Sequence, residues 1–244
     1  SYIMANNLRK FATVAAYQAA ELIKPAVSLI EENDDVYFDP KEVVPTFGGL
    51  TVKYYISDPT SEVTLFNGGG GSSTSESSSD SGSGSGGGGA LPTTMIVDGV
   101  EETPINTWRF ETAGEHIVQY EFENNVIEVS FYDINEITEV VVGDDITEIA
   151  TLTNNGVFYQ CSGLTSATIG SGITSIGDSA FAMCGNLTSV TINAITPPLL
   201  DGNTFTINAN YPIYVPAESV NTYKSASGWS TYASRIEAIG AIGL

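Results

Sequence analysis

Apolar side chains recur along this chain in two rhythms, and the second of them repeats at long range. Over residues 50–56 they alternate, with Val52, Tyr54 and Ile56 on one side, which is the period-two signature of a half-buried strand. Residues 62–66 read as another strand. The stretch 94–135 continues in kind: Met95-Ile96-Val97 runs into an Asp98-Gly99 turn, and strands follow at 107–110, 116–122 and 126–129. The alternation, with a turn at Ala113-Gly114, predicts a small antiparallel hairpin stack over 91–136. Near the start, Thr13 caps a helix through Val14, Tyr17 and Leu22 that Pro25 stops. Val27-Ser28-Leu29-Ile30 and Val36-Tyr37-Phe38 read as two strands after it. Residues 1–67 are therefore expected to form a small α+β module that anchors or oligomerises, because a core of this size is marginal alone.

The long-range rhythm begins at residue 137. Leu164-Thr165-Ser166-Ala167-Thr168-Ile169 returns twenty-three residues on as Leu187-Thr188-Ser189-Val190-Thr191-Ile192, and the same frame opens with Ile137-Thr138-Glu139-Val140-Val141-Val142. Aligned, the units give apolar columns: Ile137, Leu164 and Leu187; Val140, Ala167 and Val190; Val142, Ile169 and Ile192. Phe158 matches Phe181 and Cys161 matches Cys184. A fixed period with apolar columns predicts stacked coils, since one coil cannot bury its own apolar face. Gly143 and Gly170 stand where the chain has to turn out of the strand. The first unit is longer by four residues near 152–155, an insertion expected to bulge from the stack. Thr196-Pro197-Pro198 should end the ladder, residues 211–215 give a last strand, and 216–244 form a helical cap with Trp229, Tyr232, Ala233 and Ile236 at helical spacing.

The run Ile173-Thr174-Ser175-Ile176-Gly177-Asp178-Ser179-Ala180-Phe181-Ala182-Met183-Cys184-Gly185-Asn186-Leu187-Thr188-Ser189-Val190 resembles the BspA-like leucine-rich repeat. The tail Tyr211-Pro212-Ile213-Tyr214-Val215-Pro216-Ala217-Glu218-Ser219-Val220, with Trp229 and Tyr232, is similar to the usual ending of such arrays. The family occurs on surface adhesins of anaerobes, on parasite surface proteins and in proteins of gut Bacteroidetes and their phages; the resemblance implies binding rather than a reaction. Residues 11–38, through Phe11-Ala12-Thr13-Val14-Ala15-Ala16-Tyr17-Gln18-Ala19-Ala20 and Val36-Tyr37-Phe38, resemble the N-terminal module of virion proteins from Bacteroidetes (crAss-like) phages. That second resemblance implies assembly in a bacterial cytoplasm, with other virion proteins as partners of residues 1–67.

Composition sharpens the division. Residues 68–90 hold almost nothing but Gly and Ser, with Glu76 and Asp80 as the acids, and such a segment is expected to be a flexible linker. The chain carries 29 acidic against 8 basic residues, a formal charge of -21, which repels nucleic-acid phosphates and anionic lipid. No apolar run is long enough to span a bilayer. The segment 11–23, broken by Gln18 and Glu21, reads as an amphipathic helix rather than the apolar core of a signal peptide.

Candidate chemistry is sparse. His116 is the single histidine, so a triad or histidine metal site would need it; in an alternating strand beside Glu115 it reads as a surface or rim residue. Gly82, Gly84 and Gly87 match G-x-G-x-x-G, but no strand precedes and no helix follows. Glu31, Glu32, Asp34, Asp35 and Asp39 cluster without the spacing of a calcium loop, and Asn186-Leu187-Thr188 is a glycosylation sequon explained by the repeat. Cys161 and Cys184 share a column, where side chains point the same way, and are expected to be buried free thiols beside Phe158 and Phe181. No catalytic, cofactor or metal residue is assigned.

The expectation is a mainly β protein with short helices: module 1–67, linker 68–90, β-rich module 91–136, repeats 137–215 and cap 216–244. The expected role is a non-enzymatic phage fibre or decoration protein, with module 1–67 as the surface through which it would form a homo-oligomer, which binds a host surface protein or glycan through exposed Tyr, Ser, Thr and Asn of the repeats. The alternative is an exported surface adhesin of a gut bacterium, and a carbohydrate-processing enzyme is the third class.

Overall fold

The computed structural model describes residues 47–67, 91–152, 156–206 and 209–240. The helix and strands expected within 1–46, the acidic cluster of residues 31–39, the linker glycines Gly82, Gly84 and Gly87, and residues 153–155 of the insertion lie outside the described residues. The strands are β1 (Leu50–Ile56), β2 (Val63–Thr64), β3 (Thr94–Val97), β4 (Val100–Glu102), β5 (Thr107–Trp108), β6 (Gly114–Glu121), β7 (Val126–Ile127), β8 (Ile137–Val142), β9 (Glu148–Ile149), β10 (Ser166–Ile169), β11 (Ser175–Ile176), β12 (Ser189–Ile192), β13 (Leu199–Leu200), β14 (Ile213–Val215) and β15 (Ile236–Ala238). A short helix α1 (Val220–Ser225) and 3-10 turns at Ala217–Ser219 and Trp229–Arg235 lie between the last two.

The predicted repeat is a stack of coils, each giving one strand to either of two ladders. β8, β10, β12, β14 and β15 run parallel in one sheet. β7, β9, β11 and β13 run parallel in the other. In β10 and β12 the burial alternates residue by residue, so Ala167, Ile169, Val190 and Ile192 enter the core while Ser166, Thr168, Ser189 and Thr191 stay on the outer face. The phenylalanine column is longer than the two residues read from the sequence. Phe131, Phe158, Phe181 and Phe205 stack with ring centroids 5.0, 5.2 and 5.8 Å apart and planes within 18°. Those spacings are close to the step between paired strands, about 4.8 Å, and each fully buried ring contributes about 1.5–3 kcal/mol of transfer free energy.

The first sheet does not stop at β8. β1 pairs antiparallel with β8 on one side and with β6 on the other, and β3 and β4 extend the sheet to nine strands. The expected boundary at residue 67 is thereby corrected: the compact unit runs from Gly48 to Leu244. Leu50, Val52, Tyr54 and Ile56 make one apolar face of β1, and the repeat core is where that face is buried. Because β1 is antiparallel, it also ends the parallel ladder and covers the edge that β8 would otherwise leave open. Modules 91–136 and 137–215 share this sheet.

Three local expectations are corrected with it. β5 pairs with β2 through Val63 and Trp108, not with β6, so Ala113-Gly114 is no hairpin turn. β7 belongs to the second parallel ladder through Ile127 and Ile149, so coil architecture is present before residue 137. After Thr196-Pro197-Pro198 the ladder continues, with Leu199 opposite Ser175 in β13. At Gly170 the constraint is packing rather than turning: a side chain there would meet the Gly143 carbonyl carbon at 2.6 Å. Glycine lets the backbones of neighbouring coils approach.

The cap is built as expected in position but not in form. Trp229, Tyr232 and Arg235 recur every three residues in a 3-10 turn and are all buried, since side chains at that spacing eclipse in a 3-10 helix. Ile236 leaves the helix and pairs with Ile213 in β15.

Candidate binding face

On the outer face of the nine-stranded sheet, strand register lines side chains into rows. One row crosses every strand: Gln119 lies opposite Thr51, Thr51 opposite Val141, Val141 opposite Thr168, Thr168 opposite Thr191, and Thr191 opposite Tyr214. It runs on to Glu237 at one edge and through Ile96 to Glu101 at the other. Between those terminal acids the row is uncharged, with hydroxyl, amide and aliphatic groups at intervals of about 4.8 Å. The Gln119 amide donates to the Thr51 hydroxyl at 3.4 Å, and both residues are only 8% exposed. In the next row Lys53 and Glu139 pair at 2.7 Å, and that hydrogen bond is the main reason the Lys53 ammonium titrates above its ordinary value.

His116 is not the surface or rim residue expected. It is buried, with its ring 4.3 Å from that of Phe110, Nδ1 2.7 Å from an Asp98 carboxylate oxygen and Nε2 2.9 Å from the Thr112 carbonyl. The other Asp98 oxygen accepts from the Ile117 N–H at 2.9 Å. Asp98 and Gly99 both have positive φ, 48° and 80°, so the β3–β4 hairpin turn is of the kind that favours Asp-Gly. The Asp98 side chain ties that turn to β6, and His116 is part of the tie.

Cys161 and Cys184 are free and buried. The Cys161 thiol donates to the Phe131 carbonyl at 3.0 Å and the Cys184 thiol to the Phe158 carbonyl at 3.1 Å. Each sulfur therefore points one coil back along the stack, onto a backbone acceptor. Burial raises both titrations, that of Cys184 to about 12 and that of Cys161 further. Buried thiols held protonated are poor nucleophiles. Asn186 donates its side-chain amide to the Ser162 carbonyl at 2.8 Å, and Asn135 accepts from the Ser162 N–H at 3.2 Å one coil earlier. The sequon asparagine is thus a rung between coils.

Among the described residues no group of three or more His, Cys, Asp or Glu side chains is arranged to hold a metal ion, and no helix is long and apolar enough to cross a membrane. Two acids of the coil turns are spent on donors of the next coil: Asp144 accepts from the Ser171 N–H at 2.6 Å and from its hydroxyl at 2.9 Å, and Asp178 accepts from the Asn203 N–H at 2.7 Å.

Stacked coils, an internal phenylalanine column and parallel strands of four residues or fewer beyond β8 agree with the comparison by family. Residues 101–211 match the BspA type leucine-rich repeat region, in 6 copies. No curated protein matches the chain. The BspA-type region starts well before residue 137, in keeping with β7 as a ladder strand. A signal for this was present: Phe131 precedes Phe158 by the same interval as Ile137 precedes Leu164. It was hidden because Ile134 stands where the later units have cysteine. The parts of the outer row supplied by Thr51 and Gln119 carry no repeat signature at all.

Proposed function

We propose that the chain is a non-catalytic adhesin of the exported, BspA-like surface type, and that the partly exposed part of the row, from Val141 through Thr168 and Thr191 to Tyr214, is the face that meets a host surface protein or glycan. The observation that carries this reading is the coincidence of a BspA-type region at 101–211 with one row, uncharged between its terminal acids Glu101 and Glu237, crossing a nine-stranded sheet. Hydroxyl, amide and tyrosine groups on a rigid sheet suit polar partners, because they offer donors and acceptors without the desolvation cost of charge. The formal charge of -21 disfavours phosphate-rich partners. Weak contacts of this kind gain strength when many copies stand on one surface. The family match speaks for adhesion and carries nothing about a virion, so the cell-surface adhesin replaces the phage fibre as our reading.

The test is retention of beads coated with the full chain on host epithelial cells and on mucin. Thr168→Glu with Thr191→Glu is expected to lower retention about tenfold or more while the melting temperature stays within a few degrees. Unchanged retention would remove the sheet face from the proposal. Release of reducing ends from a polysaccharide panel by the purified chain would turn it toward the carbohydrate-processing class.

A further inference from the structure

Each coil carries, away from the outer sheet face, a short turn with one ring inside and one side chain beside it outside. The inner column is Phe131, Phe158, Phe181 and Phe205, all fully buried. The adjoining outer column, one residue on, reads Tyr132, Tyr159, Ala182 and Thr206. Tyr132 and Tyr159 are partly exposed and stacked, with ring centroids 5.8 Å apart and planes 20° from parallel. The next coil keeps the register: Phe158 stacks on Phe181 at 5.2 Å, and the Gln160 N–H donates to the Ala182 carbonyl at 2.9 Å. The coil that would lay a third ring on Tyr159 therefore supplies a methyl group. Among the described residues Tyr159 stacks on no other ring. The position after it in each coil is held left-handed without glycine, at Asp133, Gln160 and Met183 with φ of 57°, 63° and 62°. Met183, beside the missing ring, is 57% exposed.

An inner column that every coil maintains is explained by the core. An outer aromatic pair that ends after two coils, followed by a small residue and an exposed methionine, is not. We propose that the partly exposed Tyr159 ring, on the side where the next coil places Ala182 and Met183, is a carbohydrate subsite that takes one neutral pyranose ring. A pyranose has an apolar C–H face and a rim of hydroxyls. An aromatic face meets the first and an adjacent amide such as that of Gln160 meets the second, the combination that small-ligand sites use. The ligand is neutral because Gln160, Ala182, Met183 and Thr206 around this face carry no charge, while the chain as a whole, at -21, repels anions. This subsite rests on the adhesion reading only for its use; it lies apart from the outer row.

The experiment is an NMR titration of the full chain, observing tyrosine ring signals, with cellohexaose, maltohexaose and xylohexaose in turn and choline as a cationic comparison. At least one oligosaccharide is expected to shift the Tyr159 ring saturably. Binding should weaken about tenfold or more in Tyr159→Leu, which keeps an apolar side chain but not the ring. It should weaken equally in Ala182→Tyr, which keeps Tyr159 and completes the stack over it. Far-UV circular dichroism and melting verify that each variant is folded, and either variant alone suffices as a test. Thr168→Glu with Thr191→Glu should bind the sugar as the native chain does. Loss of sugar binding in that sheet-face variant alone would overturn the subsite and leave the adhesion reading intact. No saturable shift with any of the three sugars, or saturation with choline only, would also overturn it.

Discussion

The indole N–H of Trp229 donates to the carbonyl of Pro198 at 2.8 Å. In the coil before, the equivalent carbonyl, that of Thr174, accepts from the Leu199 N–H at 2.8 Å, and before that the carbonyl of Thr147 accepts from the Thr174 N–H at 2.8 Å. Among the described residues Pro198 is the last member of that column, because β13 is the edge strand of its sheet. Trp229 stands in for the backbone donor of a further strand. Other cap side chains do the same: Tyr223 donates to Ala194 at 2.8 Å, Tyr232 to Phe205 at 3.2 Å and Arg235 to Thr206 at 3.1 Å. A solenoid ends in orphan backbone groups, and a buried carbonyl without a donor is costly.

Replacing Trp229 by Phe keeps an aromatic ring and removes only the donor and some volume. We expect a loss of about 1–3 kcal/mol, the cost of leaving a buried acceptor unpaired, read as a lower urea midpoint at unchanged slope.

Phe181 has a ring on either side in the inner column, Phe158 at 5.2 Å and Phe205 at 5.8 Å. Phe181→Ala opens a cavity in mid-stack and should cost about 3–5 kcal/mol. Ala182→Gly, next to it and outside the core, should cost far less; equal losses in urea melts would show that the column does not hold the coils together.

The thiols provide a pH test. Cys184 titrates near 12 in the folded chain against 9.0 for a free thiol, because burial disfavours the thiolate. The unfolded chain then loses its proton first. The stabilisation from this group is complete below about pH 9 and declines as pH rises toward 12. Both cysteines should resist alkylation at pH 8 until the chain unfolds; labelling of Cys161 or Cys184 in the native state, seen by mass spectrometry, would contradict the burial.

Met183 sits at φ 62° with 57% of its surface exposed. A left-handed backbone costs a non-glycine residue about 1–2 kcal/mol, and Asn tolerates it better than Met. Met183→Asn should therefore stabilise the chain by about 0.5–1 kcal/mol, measurable as a higher melting temperature.

A chain from which residues 48–67 are deleted should fail to fold, since β1 is the strand between β6 and β8. Circular dichroism and gel filtration would show an aggregated or unfolded product. A monomeric, cooperatively melting deletion would mean that the repeats do not need β1.

How much of this was legible varies with how local the signal is. The columns of Leu164 with Leu187 and Phe158 with Phe181 could be read directly, because each repeat writes the same burial pattern again. Phe131 was missed for want of its cysteine, and Ile236 was drawn into a helix by its spacing from Trp229 and Tyr232 although it pairs with Ile213. Alternation marks His116 as a surface or rim residue because it gives a side of the strand and nothing about what covers it; Phe110 and Asp98 do so here.

The sequence by itself determined that this chain stacks coils, which residues of each coil face inward, and that something aromatic closes the far end. Those properties follow from periodicity, and periodicity is encoded residue by residue. The tertiary structure decided that β1 enters the sheet from before residue 68, that the row from Thr51 to Tyr214 is continuous, and that Trp229 answers Pro198. Backbone hydrogen bonds are nearly blind to side-chain identity, so an apolar alternation states that a strand needs a partner without naming it. The partner is set by which edge and which orphaned carbonyl remain open once the coils have stacked.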